Sequence, residues 1–298
     1  MIDCLIVGAG PAGLTAGIYL RRFHRSVCIV DSGHSRAARI PLSHNYPGFP
    51  DGVNGKELLE LLRCQLEKFG GSITQATVTS LKKTSNDEFV AEFAGQTVTA
   101  KTVLLATGIV DIEPDLSGYD TIKSSELVRF CPICDGFEFT DQRIAIIGRG
   151  QHGVRECEFI KNYSSRLSFI SLDGEDEIND AMHKLRGADI QVVKGRGGRI
   201  RCNEEQLKNV VIETADGALH EFDIIYCALG STVRSSLAVD LGADHDEQQC
   251  LVVNEQLETS ISGFYAAGDV VSSLDQLAVA TGQAAIASTA IHNRLRGQ

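Results

Sequence analysis

The pattern G-x-G-x-x-G occurs twice in this chain of 298 residues, as GAGPAG (Gly8–Gly13) and as GRGQHG (Gly148–Gly153). Nothing else in the sequence restricts the fold as tightly. Glycines let a strand turn sharply into a helix, and they let backbone N–H groups approach a pyrophosphate at the start of that helix. Alone the pattern is weak, but context strengthens both copies. Residues 2–7 form an apolar run before the first copy. Leu14–Phe23 follows it as a helical pattern, and Val27–Val30 as a second strand ending at Asp31. The second copy repeats this order, with a strand over Arg143–Ile147, a helix over Val154–Tyr163 and a strand over Leu167–Ser171.

The remaining segments fit around these two units. Lys56–Phe69 reads as a helix with leucines at 58, 59, 62 and 66 on one face. Residues 73–83, 88–93 and 96–108 read as β-segments, the last two as hairpin strands feeding back into a parallel sheet. TVLLATG (Thr102–Gly108) and DIIYCALG (Asp223–Gly230) close the two units alike, and GFYAAGD (Gly263–Asp269) is another strand ending in an acid. A helix is expected over Gln276–Ala287. The predicted fold is α/β, with two Rossmann-like dinucleotide-binding domains, one inserted into the other. Residues 1–112 and 235–298 are expected to form the discontinuous outer domain, and 113–234 the inserted one.

Composition removes several classes of function. With 43% hydrophobic and 22% charged residues and only six prolines, the chain has the make-up of a globular protein. Its apolar runs are strand-length, too short to span a membrane. A strand pattern begins within one residue of Met1, where a signal peptide would need room, so a cytoplasmic location is expected. A formal net charge of −11 disfavours nucleic acid, which demands a basic face. Of nine cysteines, Cys4, Cys28 and Cys227 lie in apolar strand patterns and are expected in the core. Cys131 and Cys134, in CPICDG, form the one close pair. A redox disulfide, half of a zinc site and a chance spacing are the competing readings. Zinc requires four ligands, whereas no second C-x-x-C or H-x3-H exists and Cys157 and His152 are isolated.

In order along the chain, GAGPAG, SHNYPGFP (Ser43–Pro50), TVLLATG, CPICDG, the second glycine pattern and FYAAGDV resemble the low-molecular-weight thioredoxin reductases. The resemblance runs to about Ala287. It implies an FAD domain split around an inserted pyridine-nucleotide domain that carries the redox pair, in a homodimer. It places Gly8, Gly10, Pro11, Ala12, Gly13, Asp31 and Ser32 at the ADP half of FAD, with Ala106, Thr107 and Gly108 and then Gly268 at further contact points. Asn45 falls near the flavin, Asp269 on the ribityl chain, and Gln276 and Leu277 beside the ring. Cys134 would face the flavin, Cys131 would exchange with a thioredoxin-like protein or another dithiol or disulfide, and Asp135 would move protons. A thiolate nucleophile beside an acid suits that exchange, and Pro132 stiffens the loop.

Departures from the family concern the electron donor. Where NADPH-dependent members carry basic residues for the 2′-phosphate, this chain has Ser171, Leu172 and Asp173, followed by Gly174, Glu175, Asp176 and Glu177. Carboxylates there would repel that phosphate and suit a free ribose. NADPH is therefore disfavoured, and NAD(H) or a second FAD is expected on Gly148, Gly150, Gln151, His152, Gly153 and Asp173. His152 is either a phosphate contact or a solvated first-turn residue. KGRGGRIR (Lys194–Arg201) is a basic island that reads as a solvated hairpin, or as a contact for a cofactor phosphate or for an acidic protein such as ferredoxin. Asp275 stands where the family commonly has an arginine. These changes resemble the diflavin-linked disulfide oxidoreductases, and the intact second glycine pattern favours that type over the ferredoxin-linked one. An NAD(P)H-dependent thioredoxin reductase and a flavin-binding redox sensor without turnover are the alternative functions.

Overall fold

A computed structural model of the protein describes residues 1–174, 179, 183–185, 187–202 and 209–297. The chain divides into two compact units, one of Met1–Val110 with Thr232–Gln298 and one of Asp111–Ser231.

The first unit is built on a seven-stranded sheet. β1 (Ile2–Val7) leads through the first glycine turn into α1 (Pro11–Arg22) and β2 (Val27–Asp31). The helix α2 (Gly55–Lys68) and the short strand β3 (Ile73–Gln75) come next. Asn54 caps α2, its side-chain oxygen accepting from the N–H groups of Lys56 and Glu57. β4 (Val78–Lys83), β5 (Phe89–Phe93) and β6 (Gln96–Leu105) complete the first part of the sheet, in the order β3-β2-β1-β6-β5-β4. β6 has two partners along its length. Its first half pairs antiparallel with β5, while its second half pairs parallel with β1 and with the strand Phe264–Ala266. This is the hairpin returning into a parallel sheet that the sequence pattern predicts.

Both faces of that sheet are covered, as apolar parallel strands require. Cys4 and Ile6 of β1 pack into the core beneath α1, α2 and the C-terminal helix Leu277–Leu295. Leu5 and Val7 point into the opposite core, with Phe89, Phe93 and Phe264.

The second unit repeats the plan with a five-stranded parallel sheet. Its order is Gln191–Lys194, Leu167–Ser171, Ile144–Gly148, Ile224–Ala228 and Val128–Arg129. Ile144 and Ile146 face one core, Ala145 and Ile147 the other. A three-stranded antiparallel sheet of Arg199–Cys202, Val210–Glu213 and Leu219–Phe222 adjoins it in the chain.

Three sequence expectations change. The helices after both glycine turns start earlier than their apolar periodicity suggests, at Pro11 rather than Leu14 and at Gly150 rather than Val154. A glycine serves as cap or first residue there, so no Ser, Thr or Asp signals the start. The C-terminal helix runs on to Leu295, beyond Ala287, because Ile291 continues its buried stripe. The basic segment Lys194–Arg201 is not a hairpin. Gln191–Lys194 pairs with Leu167–Ser171, whereas Arg199–Cys202 pairs with Val210–Glu213, and Arg201 forms an ion pair with Glu213. Of the expected core cysteines, Cys4 and Cys227 are buried and Cys28 is half-buried.

Candidate functional site

Three clusters of side chains carry the chemistry, each within one unit. The first surrounds the turn between β1 and α1. A Cβ on Gly8 (φ +103°) would lie 2.3 Å from the carbonyl oxygen of Ala106, and one on Gly13 only 1.9 Å from that of Gly8. Glycine at both positions is what lets helix and strand pack this closely. At Gly10, the cap of α1, an added Cβ would meet only Ser35 Oγ, at 3.3 Å. With Pro11 as its first residue, no side-chain cap and no acid in its first turn, α1 presents an uncapped positive end. The carboxylate of Asp31 secures the approach, accepting from the N–H groups of Ala9 and Gly33, both at 2.8 Å. Ser32 follows it directly. Ala106 is buried, and Thr107 Oγ1 donates to the carbonyl of Arg234, whose own N–H donates to Gly108.

Near the start of the C-terminal helix, this unit gathers the residues assigned to the flavin end. Asn45 Nδ2 donates to Gln276 Oε1 at 2.9 Å, and Ser43 Oγ donates to Asn45 Oδ1. Gln276 caps the helix, and Leu277, its first residue, packs half-buried on the core. Gly268 (φ +81°) packs on α1, a Cβ there falling 3.2 Å from that of Ala12. Asp269, the next residue, accepts from Arg36 Nη1 at 3.2 Å. Sequence reasoning missed Arg36. Arg36 and Arg39 are the only Lys or Arg residues between Asp31 and Lys56, which was the available signal. Glycines that open a bare helix end, together with two acids suited to hydroxyls, fit a long dinucleotide such as FAD.

The second cluster is the redox turn. Cys131 and Cys134 are joined in a disulfide with Cα atoms 5.3 Å apart. Cys131 precedes a single helical turn, Pro132–Asp135, and its carbonyl accepts from the N–H of Cys134. Ile133 and Phe137 flank the pair with exposed apolar surface, Phe137 being 78% exposed. Behind them Asp135 is buried, with both carboxylate oxygens engaged. Tyr226 Oη donates to Oδ1 at 2.6 Å and Arg129 Nε to Oδ2 at 2.9 Å. Tyr226 and Arg129 are register partners on neighbouring parallel strands, so the sheet itself aims both at one carboxylate. Arg129 also lies over the ring of Phe139, which meets Tyr226 edge-on. Burial pushes the Asp135 carboxyl up to about 6, while the Tyr226 hydrogen bond and the Arg129 charge act downward. Burial, with Asp135 beside it, holds the Tyr226 phenol above its ordinary range. Neither partner was recognised in the sequence. A tyrosine inside the apolar run IIYCALG was the available signal, since a buried hydroxyl needs a partner.

The third cluster is the second glycine turn. Gly153 packs against Phe169, whose ring an added Cβ would meet at 2.6 Å, and Gly148 against Gly153 and Ala228. Gly150 (φ +48°) is the first residue of the helix Gly150–Ile160. Its N–H donates to Asp173 Oδ2 at 2.6 Å, and the N–H of Asp173 donates to Ser171 Oγ. Gln151 and His152 are exposed. Gln151 Oε1 accepts from Lys184, and His152 acts downward on the Glu156 carboxyl, which burial raises. Glu175, Asp176 and Glu177 lie outside the described residues.

The family model "Pyridine nucleotide-disulphide oxidoreductase" matches residues 2–284. A thioredoxin reductase of Aquifex aeolicus is 28% identical over 315 residues, spanning 99% of this chain and 94% of the relative. Among solved structures, the thioredoxin reductase of Streptococcus pyogenes superposes with a TM-score of 0.86 at 26% identity, covering 100% of this chain and 99% of its own. A putative thioredoxin reductase of Bacillus anthracis gives 0.88 at 25% identity, with 99% of each chain covered. No helix among the described residues is long and apolar enough to cross a membrane.

Proposed function

This chain belongs to the pyridine nucleotide-disulphide oxidoreductase family, as a flavoprotein disulfide oxidoreductase of the thioredoxin reductase type, and we propose that it exchanges electrons between FAD and an external dithiol or disulfide through Cys131 and Cys134 without NADPH. A thioredoxin-like protein is the proposed partner, the cytoplasm the proposed setting, and a homodimer the proposed assembly. The observation that carries the reading is the Cys131–Cys134 disulfide backed by Asp135, a buried carboxylate that Tyr226 and Arg129 hold in place.

FAD, when bound, supplies the capacity to take up or release two electrons. The glycine turn at Gly8–Gly13, with Asp31, Ala106–Gly108 and Gly268–Asp269, would hold it, and Asn45 and Gln276 would meet its ring. At the redox turn the pair undergoes ordinary thiol–disulfide exchange. In the partner-reducing direction, the Cys131 thiolate attacks one sulfur of the partner disulfide, and the other partner sulfur leaves as a thiolate. Cys134 then attacks the Cys131 sulfur, which remakes the intramolecular bond and releases the second partner sulfur. Two electrons pass to the partner, whose two sulfurs take up two protons. Asp135, whose carboxyl burial raises to about 6, takes or returns the proton of the attacking thiol at its carboxylate. The reverse direction uses the same atoms. A sensor without turnover has no use for a carboxylate held this way.

The second glycine turn is proposed to take a dinucleotide with a free 2′-hydroxyl, a second FAD or NAD(H). Asp173 supports this, because a carboxylate just beyond the strand Leu167–Ser171 suits ribose hydroxyls and would repel a 2′-phosphate. Flavin released per chain after denaturation tests the reading. A value near two supports a second FAD, and near one leaves NAD(H). Rapid anaerobic bleaching of the bound flavin by micromolar NADPH would refute the exclusion of that donor.

A further inference from the structure

Asp269 and Asp275 raise a charge problem in the first unit that the proposed function does not resolve. Asp269 lies next to the first turn of α1, since Gly268 packs on Ala12. Asp275 immediately precedes Gln276, the cap of the C-terminal helix. A dinucleotide held at Gly8–Gly13 brings two negative phosphates to the end of α1. Carboxylates on that border repel them unless a cation stands between.

Arg36 meets both carboxylates. Its Nη1 lies 3.2 Å from Asp269 Oδ2 and 4.0 Å from Asp275 Oδ2, and the Arg36 side chain is 24% exposed. The chain leading into it borders the same helix end, Ser35 Oγ being the nearest atom to the space above Gly10. From this position, and resting on the reading of the unit as an FAD site, we infer that Arg36 is a cofactor-binding residue whose positive charge offsets Asp269 and Asp275 against the negative phosphates of the bound dinucleotide. A guanidinium suits the task, because its planar fork of N–H donors matches both carboxylate and phosphate oxygens.

A purely structural Arg36 would instead pin the segment of residues 33–40 to the end of the strand Phe264–Ala266. The two roles respond differently to the loss of Asp275. If Arg36 acts by charge, deleting the repelling carboxylate compensates for deleting the cation. If it only pins the segment, deleting Asp275 compensates for nothing.

The experiment measures FAD affinity on deflavinated full-length protein by flavin fluorescence, with circular dichroism recorded on each variant. Arg36→Gln is expected to weaken FAD binding by about tenfold or more, the scale of one charge-assisted contact. Arg36→Lys, which keeps the charge, should lose less. Asp275→Asn in the Arg36→Gln background should recover at least about a third of the lost affinity on a logarithmic scale, because it removes one of the two repelling charges. Affinity of Arg36→Gln within twofold of wild type overturns the inference. So does a double variant no tighter than Arg36→Gln. Should Arg36→Gln fail to fold, Arg36→Lys with and without Asp275→Asn gives the same comparison. Wild-type protein that retains no FAD at all would sink the flavoprotein reading as well, whereas an FAD-loaded wild type with an indifferent Arg36→Gln sinks this inference alone.

Discussion

The two glycine turns share a sequence pattern, and yet the acid of each unit holds a different part of its turn. In the first unit the acid is the last residue of β2, and it ties the N–H of Ala9, upstream of the helix. The end of α1 stays open, with a glycine cap, a proline that has no N–H to satisfy and no acid in the first turn. In the second unit the acid stands two residues beyond the strand Leu167–Ser171, and its carboxylate takes the N–H of Gly150, the first residue of the helix itself. Part of the positive end that would receive a phosphate is already occupied by the protein's own anion. Two residues of displacement thus separate a helix end whose first N–H groups stay open from one whose first N–H is already taken.

The largest test of this comparison is steric. Gly13→Ala drives a Cβ to within 1.9 Å of a backbone carbonyl, which cannot move without opening the β1–α1 junction. Purified Gly13→Ala protein should be colourless or insoluble. Gly153→Ala meets the ring of Phe169 at 2.6 Å, a side chain that can shift at a cost of about 1–3 kcal/mol. It should fold, keep its first flavin and lower the melting temperature modestly. Equal loss of flavin from both variants would remove the distinction between the two turns.

The same contrast shows what could be read without coordinates. The two strand–turn–helix units are written in apolar periodicity and in glycines that sterics demand, so they were legible. Arg129, Tyr226 and Arg36 were not. Tyr226 meets Asp135 across 91 residues, because the strand order places Ile224–Ala228 beside Val128–Arg129. Arg36 meets Asp269 across 233 residues. Local pattern carries no information on which distant strands become neighbours. Asp173 was legible as an acid just beyond the second unit's strand Leu167–Ser171, but its bond to Gly150 depended on a helix that starts earlier than its periodicity implies.

Exchanging the acids tests the electrostatic half. Asp173→Asn removes the charge beside the second helix end and should raise the affinity for NADPH relative to NADH by about tenfold, the scale of one carboxylate–phosphate repulsion in a partly solvated site. Asp31→Asn should leave that ratio alone and instead loosen FAD, since Asp31 secures Ala9 and Gly33. Titration calorimetry on each variant, with NADPH and NADH and, on deflavinated protein, with FAD, reads both effects. An unchanged ratio in Asp173→Asn would show that the carboxylate does not face the nucleotide's 2′-position.

The smallest expected effect concerns a third carboxylate, Asp135, held by side chains where Asp31 and Asp173 hold backbone. Burial raises its carboxyl to about 6, and both Tyr226 and Arg129 favour the ionised form against that burial. Removing either donor therefore lifts the pKa further. With Asp135 as proton acceptor, the rate of dithiol oxidation rises with pH as the carboxyl ionises, and in Tyr226→Phe that limb should move upward by roughly half to one pH unit. Activity at pH 6.5 falls, while activity at pH 8.5 is retained. Arg129→Lys keeps a charge beside Asp135 and should shift the limb less than Arg129→Gln. Stability has its own sign. The folded carboxyl binds its proton more tightly than the ordinary value of 3.8, so its stabilising contribution is full below about 4 and is lost as the pH rises through about 6. In Asp135→Asn that component of the melting temperature's pH dependence should vanish. A limb unmoved in Tyr226→Phe, measured against an unchanged melting profile, would mean that the hydroxyl orients the redox turn without governing the proton.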